Sequence, residues 1–277
     1  ARKAGPSERS SFFIRTKSMP HLFSENSYDT PDNRRDLRSR LLLNCRLNFH
    51  LQIWQNFYRI GRQAKNGLLS RGEQIRFSEK NVDILERCGA KIHLRGLENL
   101  SAGDGPFVLA GNHMSAVESL VLNAIISPRL DFTYVIKSNT FSVPFLRQAM
   151  RAMNAIGIDR DNPREDLRTV LSEGRRRLES GSSVLIFPEG GRHAEFVPER
   201  FNSIAVKLAR AAKVELLPFA LKTDFLPRGK IFSDFSALHP GRHIYFSFGP
   251  PVAVEGNGRE AQERIIRFIR EQTARWN

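Results

Sequence analysis

His113 and Glu118 are the residues of this chain best suited to acid–base chemistry, an imidazole followed five positions later by a carboxylate in Asn112-His113-Met114-Ser115-Ala116-Val117-Glu118. A neutral imidazole takes a proton near neutral pH, and a carboxylate at its other ring nitrogen fixes the tautomer and stabilises the imidazolium. The apolar run Phe107-Val108-Leu109-Ala110 comes directly before, which places the imidazole at a strand's exit. A histidine at a helix cap would read the same way, so the pair alone does not establish catalysis. A second motif, Pro188-Glu189-Gly190-Gly191-Arg192-His193, leaves the apolar run Ser183-Val184-Leu185-Ile186-Phe187. Gly190 and Gly191 permit close backbone approach or positive φ, and Arg192 offers a planar fork of donors suited to a phosphate. The plain alternative is a tight turn with a solvated arginine.

The elements around these motifs alternate. Strands are expected at 107–110, 132–136, 155–158, 183–187, 216–221 and 243–248, with helices at 116–126, 143–153, 162–181, around 201–212 and 259–275. The best-marked helix has Asn162 as N-cap, Pro163 in the first turn and Glu165 three residues after the cap, and Gly181 ends it. In the last, Ile265, Ile266, Phe268 and Ile269 form a docking face while Arg264, Arg267 and Arg270 stay wet or meet lipid. Strand–helix alternation predicts a single α/β domain with a mostly parallel β-sheet flanked by helices, plus N-terminal amphipathic helices. In open α/β sheets, sites form beyond the carboxyl ends of the strands, so the His113 and Arg192 turns are expected to meet in one crevice.

These segments resemble the glycerolipid acyltransferase family, whose best-known members are the 1-acylglycerol-3-phosphate (lysophosphatidic acid) acyltransferases. Four blocks match in order over roughly residues 90 to 255. Asn112, His113 and Glu118 correspond to Asn-His-x4-Asp; Gly157-Ile158-Asp159-Arg160, with Lys137 upstream, is similar to the second block. Phe187, Pro188, Glu189, Gly190 and Arg192 correspond to Phe-Pro-Glu-Gly-Thr-Arg, and 214–220, around Pro218, to the fourth. Glu118 stands for the usual aspartate and Gly191 for the usual threonine. The resemblance implies acyl transfer from acyl-CoA or acyl carrier protein to the hydroxyl of a lysophospholipid, 1-acylglycerol-3-phosphate giving phosphatidic acid. His113 would be general base and Glu118 its holder. Arg192 would clamp the acceptor phosphate with Glu189, Gly190 and Gly191 shaping the turn, and Arg160 and Lys137 would add positive charge. Neither a cofactor nor a metal is implied. A serine nucleophile at Ser115 or Ser119 lacks a Gly-x-Ser-x-Gly elbow.

Lys and Arg total 43 against 29 acidic residues, a formal charge of +14, which implies a polyanionic partner. Nucleic acid is disfavoured because zinc-ligand spacing, ribonucleoprotein aromatics and a helix-turn-helix pattern are all missing. Cys45 and Cys88 suit neither a disulfide framework nor a metal site, so a reducing compartment is expected. No apolar run approaches the about 18 residues of a spanning helix and no signal-peptide pattern is seen, so a soluble or peripheral protein is expected. Residues 1–36 read as a mobile basic arm in which Arg2, Lys3, Arg9, Arg15 and Lys17 are available for phosphates. Residues 37–89 form an N-terminal helical segment and 90–277 the α/β domain. The stretch 41–60 is an amphipathic helix bearing Trp54, Phe57 and Tyr58, suited either to core packing or to an anionic leaflet. With the resemblance, this places the protein peripherally on the cytoplasmic face of a membrane. The rival reading is a basic peripheral membrane or nucleic-acid binding protein without catalysis, for which His113 and Glu118 would be dispensable.

Overall fold

The computed structural model describes residues 21–32, 46–144, 146–229 and 236–276. In chain order the strands are β1 (Tyr28–Asp29), β2 (Ile92–Arg95), β3 (Val108–Gly111), β4 (Phe132–Lys137), β5 (Ile156–Ile158), β6 (Ser183–Ile186), β7 (Leu216–Lys222) and β8 (Ile244–Phe248). The helices are α1 (Arg46–Lys65), α2 (Arg71–Arg87), α3 (Val117–Ile126), α4 (Leu146–Ala152), α5 (Pro163–Glu179), α6 (Ile204–Ala212) and α7 (Arg259–Arg275).

The described strands form one sheet in the order β1-β2-β8-β7-β3-β6-β4-β5. Pairing is parallel except between β1 and β2 and between β7 and β8, in accord with the expected mostly parallel α/β sheet. Strands covered on both faces need side chains that are apolar on both, which is why the central ones read as unbroken apolar runs. Leu109 and Leu185 point to a core shared with Val82, Leu85, Val121 and Phe219. Their neighbours Val108, Ala110, Val184 and Ile186 point to the opposite core, shared with Val170, Leu208, Ile265 and Ile269.

Helix starts follow their local chemistry. Asn162 caps α5 by accepting from the N–H groups of Arg164 and Glu165 at 3.2 and 3.3 Å, and Ser70 caps α2 by accepting from Glu73 N–H at 3.2 Å. The packing of α2 on α3 also has polar pins: Ser78 Oγ and Asn81 Nδ2 both donate to the Leu120 carbonyl, at 2.7 and 3.1 Å.

Sequence reasoning and structure part in several places. The unpacked arm expected over 1–36 is corrected at 21–32, where Phe23 is buried, Leu22 N–H donates to Glu79, and β1 adds to the sheet edge through Tyr28↔Leu94. Arg2, Lys3, Arg9, Arg15 and Lys17 lie outside the described residues, as do 41–45 of the expected first helix. That helix is seen as α1, which buries Phe49, Ile53 and Asn56 and leaves Leu47, Leu51, Trp54 and Tyr58 exposed along its outer side. The helix expected at 143–153 is shorter and follows a 3-10 turn at Ser138–Ser142. Among the described residues no helix is long and apolar enough to cross a membrane.

Candidate active site

Strands β3, β6 and β4 run side by side in parallel, with Leu109, Leu185 and Tyr134 in register. Their carboxyl ends therefore open on one edge of the sheet, and the segments that leave them bear the residues singled out above. Gly111 lets β3 run close to β7, since a Cβ there would lie 2.4 Å from the Phe219 ring. Asn112 then extends the β3–β7 ladder with its side chain: Nδ2 donates to the Leu221 carbonyl and Oδ1 accepts from Leu221 N–H, both at 2.9 Å.

His113 is held at the backbone by the second motif. Its N–H donates to Glu189 Oε2 at 3.0 Å and its carbonyl accepts from His193 N–H at 2.9 Å. Its ring stacks on Phe187, with centroids 4.1 Å apart and planes 15° from parallel. Nδ1 faces Glu118 Oε2 at 3.4 Å, an ion-pair separation, and neither atom has a hydrogen-bond partner among the described residues. Catalytic contacts of this length are common before substrate binds and tighten afterwards.

Glu118 is fully buried, and its other oxygen is saturated. Oε1 accepts from Met114 N–H at 3.0 Å, Ser115 N–H at 2.7 Å and Thr223 Oγ1 at 2.6 Å. Ser115 Oγ in turn accepts from Val117 N–H at 3.1 Å and donates to Thr223 Oγ1 at 3.0 Å. Ser115 and Glu118 thus satisfy backbone donors at the entry to α3 in the manner of a capping box, one residue ahead of Ala116, which directly precedes the helix. The extra methylene of glutamate over aspartate is used here, letting Oε1 turn back to the cap while Oε2 stays with the imidazole. With its hydroxyl committed twice and its side chain buried, Ser115 is poorly placed as a nucleophile.

Glu189 joins the two motifs, accepting from His113 N–H and, through Oε1, from Val197 N–H at 3.2 Å. Desolvation pushes its carboxyl above the ordinary carboxylate value, and the two backbone donors partly oppose that. Gly190 has φ +70°, the left-handed region where glycine carries no penalty. Gly191 does not adopt positive φ, and an added Cβ there would make ordinary contact at 3.7 Å with His193. Arg160, itself at φ 69°, donates to the Gly190 carbonyl, and desolvation lowers its pKa from the usual arginine value against the pull of Asp166.

A cavity of about 840 Å³ unites these parts. His113, Lys137, Arg160, Gly191 and Arg192 all line it, while Glu118 and Glu189 sit behind as buried supports. Its walls continue over apolar side chains of α1, α3 and α4, among them Phe49, Ile53, Leu120, Ala149 and Met150. Arg228 also lines it and was missed, since an arginine in a loop beyond β7 carries no distinguishing pattern. Thr223 was missed because its contacts are 105 and more residues away in sequence. The capping box was legible, as a serine three residues before a glutamate.

A parallel α/β sheet with a histidine–carboxylate pair and an arginine at one cavity, beyond adjacent strand ends, is the arrangement of a domain suited to general-base transfer chemistry. Residues 91–222 match the Acyltransferase family. A 1-acyl-sn-glycerol-3-phosphate acyltransferase of Pseudomonas aeruginosa is 31% identical over 175 residues, covering 63% of this chain and 64% of that protein. One from Bacillus subtilis is 32% identical over 135 residues, covering 48% of this chain and 63% of that protein. The chain thus spans less than two thirds of the length of these relatives. The fold matches the crystal structure of the 1-acyl-sn-glycerophosphate (LPA) acyltransferase PlsC from Thermotoga maritima. The TM-score is 0.60 and the identity 18%, over 84% of this chain and 99% of that one.

Proposed function

We propose that this protein moves a fatty acyl group from a thioester, acyl-CoA or acyl carrier protein, to the free hydroxyl of 1-acylglycerol-3-phosphate, forming phosphatidic acid. The observation that carries this reading is the placement of His113, backed by buried Glu118 at 3.4 Å, in one cavity with Arg160 and Arg192 on one side and apolar helix faces on the other. With Nδ1 turned to Glu118, the other ring nitrogen is the one available to the cavity. It takes the acceptor's hydroxyl proton as that oxygen attacks the thioester carbonyl. The tetrahedral intermediate then collapses, the carbon–sulfur bond breaks, and the imidazolium returns the proton to the departing thiolate. Glu118 stabilises the imidazolium between those steps. Arg192 and Arg160, with Lys137 and Arg228 nearby, suit the acceptor phosphate. No step draws on a cofactor or metal.

Location follows from the same substrate. The exposed row Leu47, Leu51, Trp54 and Tyr58 on α1, in a chain of net charge +14, suits peripheral attachment to an anionic leaflet, and a cytoplasmic face fits the soluble thioester donors. Labelled acyl-CoA and acyl carrier protein, each incubated with a panel of lysolipids, test the reading. Phosphatidic acid is the expected product, and His113→Ala should lower its rate by about 10²–10⁴-fold. Full activity in that variant would refute the general base, and no product from any lysolipid would refute acyl transfer.

A further inference from the structure

Lys137, Arg160, Arg192 and Arg228 line the cavity, and among the described residues no aspartate or glutamate does. A phosphate monoester carries a charge of about −1.5 to −2 near pH 7, so one acceptor does not balance these cations. Three of them belong together. Lys137 pairs in the sheet with Ile158, two residues before Arg160, and Arg160 donates to the carbonyl of Gly190, two residues before Arg192. The turn that carries Gly190 and Arg192 holds His113 through Glu189 and through His193 N–H, so this group is tied to the base itself.

Arg228 comes from elsewhere. It follows β7, which lies on the other side of β3 from β6, β4 and β5. The exits of β7 and β6 are therefore about 10 Å apart, with the exit to His113 between them. The loop that bears Arg228 is fastened toward α1: Ser236 Oγ donates to the Pro227 carbonyl at 2.5 Å, and the Ser236 carbonyl meets His50 Nε2 at 3.4 Å. Arg228 is exposed and has no hydrogen bond or ion pair among the described residues. Its charge adds to the field over the whole cavity, but its place is distinct.

The two substrates of acyl transfer divide in the same way. In the acceptor, the attacking hydroxyl and the phosphate share one glycerol and are a few bonds apart, so that phosphate must lie close to the base. In a thioester donor, CoA or carrier protein, the long pantetheine arm separates the reacting carbonyl from the nearest phosphate. The cations tied to the His113 turn fit the first spacing, and a cation on a separate loop fits the second.

We infer that Arg228 binds the acyl donor, holding the phosphate beyond its pantetheine arm on the opposite side of His113 from the cations that take the acceptor phosphate. This deepens the acyl-transfer reading and rests on it. At an exposed arginine, a hydrogen-bonded charge pair of this kind is worth about tenfold in kcat/KM.

The test offers three donors to 1-acylglycerol-3-phosphate, in detergent solution without a bilayer: hexadecanoyl-CoA, hexadecanoyl carrier protein, and hexadecanoyl-pantetheine, which lacks the phosphate. Wild-type kcat/KM should favour the phosphate-bearing donors over the pantetheine by about tenfold, and in Arg228→Gln that preference should fall toward one. Loss for both donors assigns to Arg228 the pantetheine phosphate they share, and loss for the CoA donor alone assigns the nucleotide phosphates; either upholds the donor site. No preference in the wild type, or a preference that survives in the variant while KM for the acceptor rises, overturns it. Thermal unfolding without ligand checks the fold: Arg228→Gln should melt with the wild type, and a lower midpoint would show that the guanidinium has a structural partner and overturn the assignment. If no donor is transferred, the acyl-transfer reading fails separately, and calorimetric titration with CoA against pantetheine decides the role of Arg228. Tighter binding of CoA that weakens about tenfold in the variant supports it, and equal binding of CoA to both proteins overturns it.

Discussion

Thr223→Val removes one hydroxyl from the support of Glu118 while keeping nearly the same shape. Thr223 is fully buried, and its hydroxyl donates to Glu118 Oε1 at 2.6 Å and accepts from Ser115 Oγ at 3.0 Å. A hydrogen bond to a charged group contributes about 1.5–3 kcal/mol, and the two backbone donors left on Oε1 do not replace it. The variant should therefore lose about 2 kcal/mol of stability, close to 30-fold in the folding equilibrium. The carboxylate that faces His113 is then held by fewer contacts, so kcat should fall by about tenfold, a fraction of what the whole general base supplies. Urea unfolding followed by circular dichroism gives the first number and single-turnover acyl transfer the second. Thr223→Ser, which keeps the hydroxyl, should recover most of kcat. A double-mutant cycle with Glu118→Gln should show coupling of about 0.5–3 kcal/mol. Stability within 0.5 kcal/mol of wild type together with an unchanged kcat in Thr223→Val would refute the reasoning.

Two further predictions probe the frame of the site. Gly111→Ala sets a methyl against the Phe219 ring, which meets Phe187 edge-on at 5.8 Å, and Phe187 carries the His113 ring. A loss of about 1–3 kcal/mol is expected in unfolding experiments, with kcat reduced beyond what the unfolded fraction accounts for and partly recovered by Phe219→Leu; wild-type kinetics would contradict it. Glu189 tests the electrostatics. Its folded pKa lies above the ordinary value of 4.5, so the folded state takes up a proton before the unfolded chain does as pH falls. Relative to Glu189→Gln, wild-type stability should rise as pH drops from 7 through that raised value and level off below 4.5; urea midpoints at a series of pH values that show a flat or opposite difference would reject it.

Legibility in the sequence followed the range of the forces involved. Asn162 and Pro163 announce α5 because capping is settled within a few residues, and the runs at 107–110 and 183–187 announce strands because burial on both faces admits only apolar side chains. The meeting of His113 and Arg192 at one cavity was open to reasoning through parallel-sheet topology alone. By contrast, β1 is a two-residue strand, too short to show any period, and its place depends on the distant β2. Thr223 and Arg228 take their meaning from neighbours brought up by folding, and nothing adjacent in the chain marks them. Gly191 is the reverse case for backbone angle alone: a residue type free to take positive φ does not take it.

On the proposed mechanism, the Glu118 side chain serves both the imidazole and the entry to α3. A lineage that abandoned turnover would still have a use for this glutamate, because losing it would leave the buried Met114 and Ser115 N–H groups ahead of α3 without their acceptor. Retention of the acid among relatives is thus no guarantee of an active enzyme, whereas retention of the histidine, whose ring caps nothing, is the more discriminating sign.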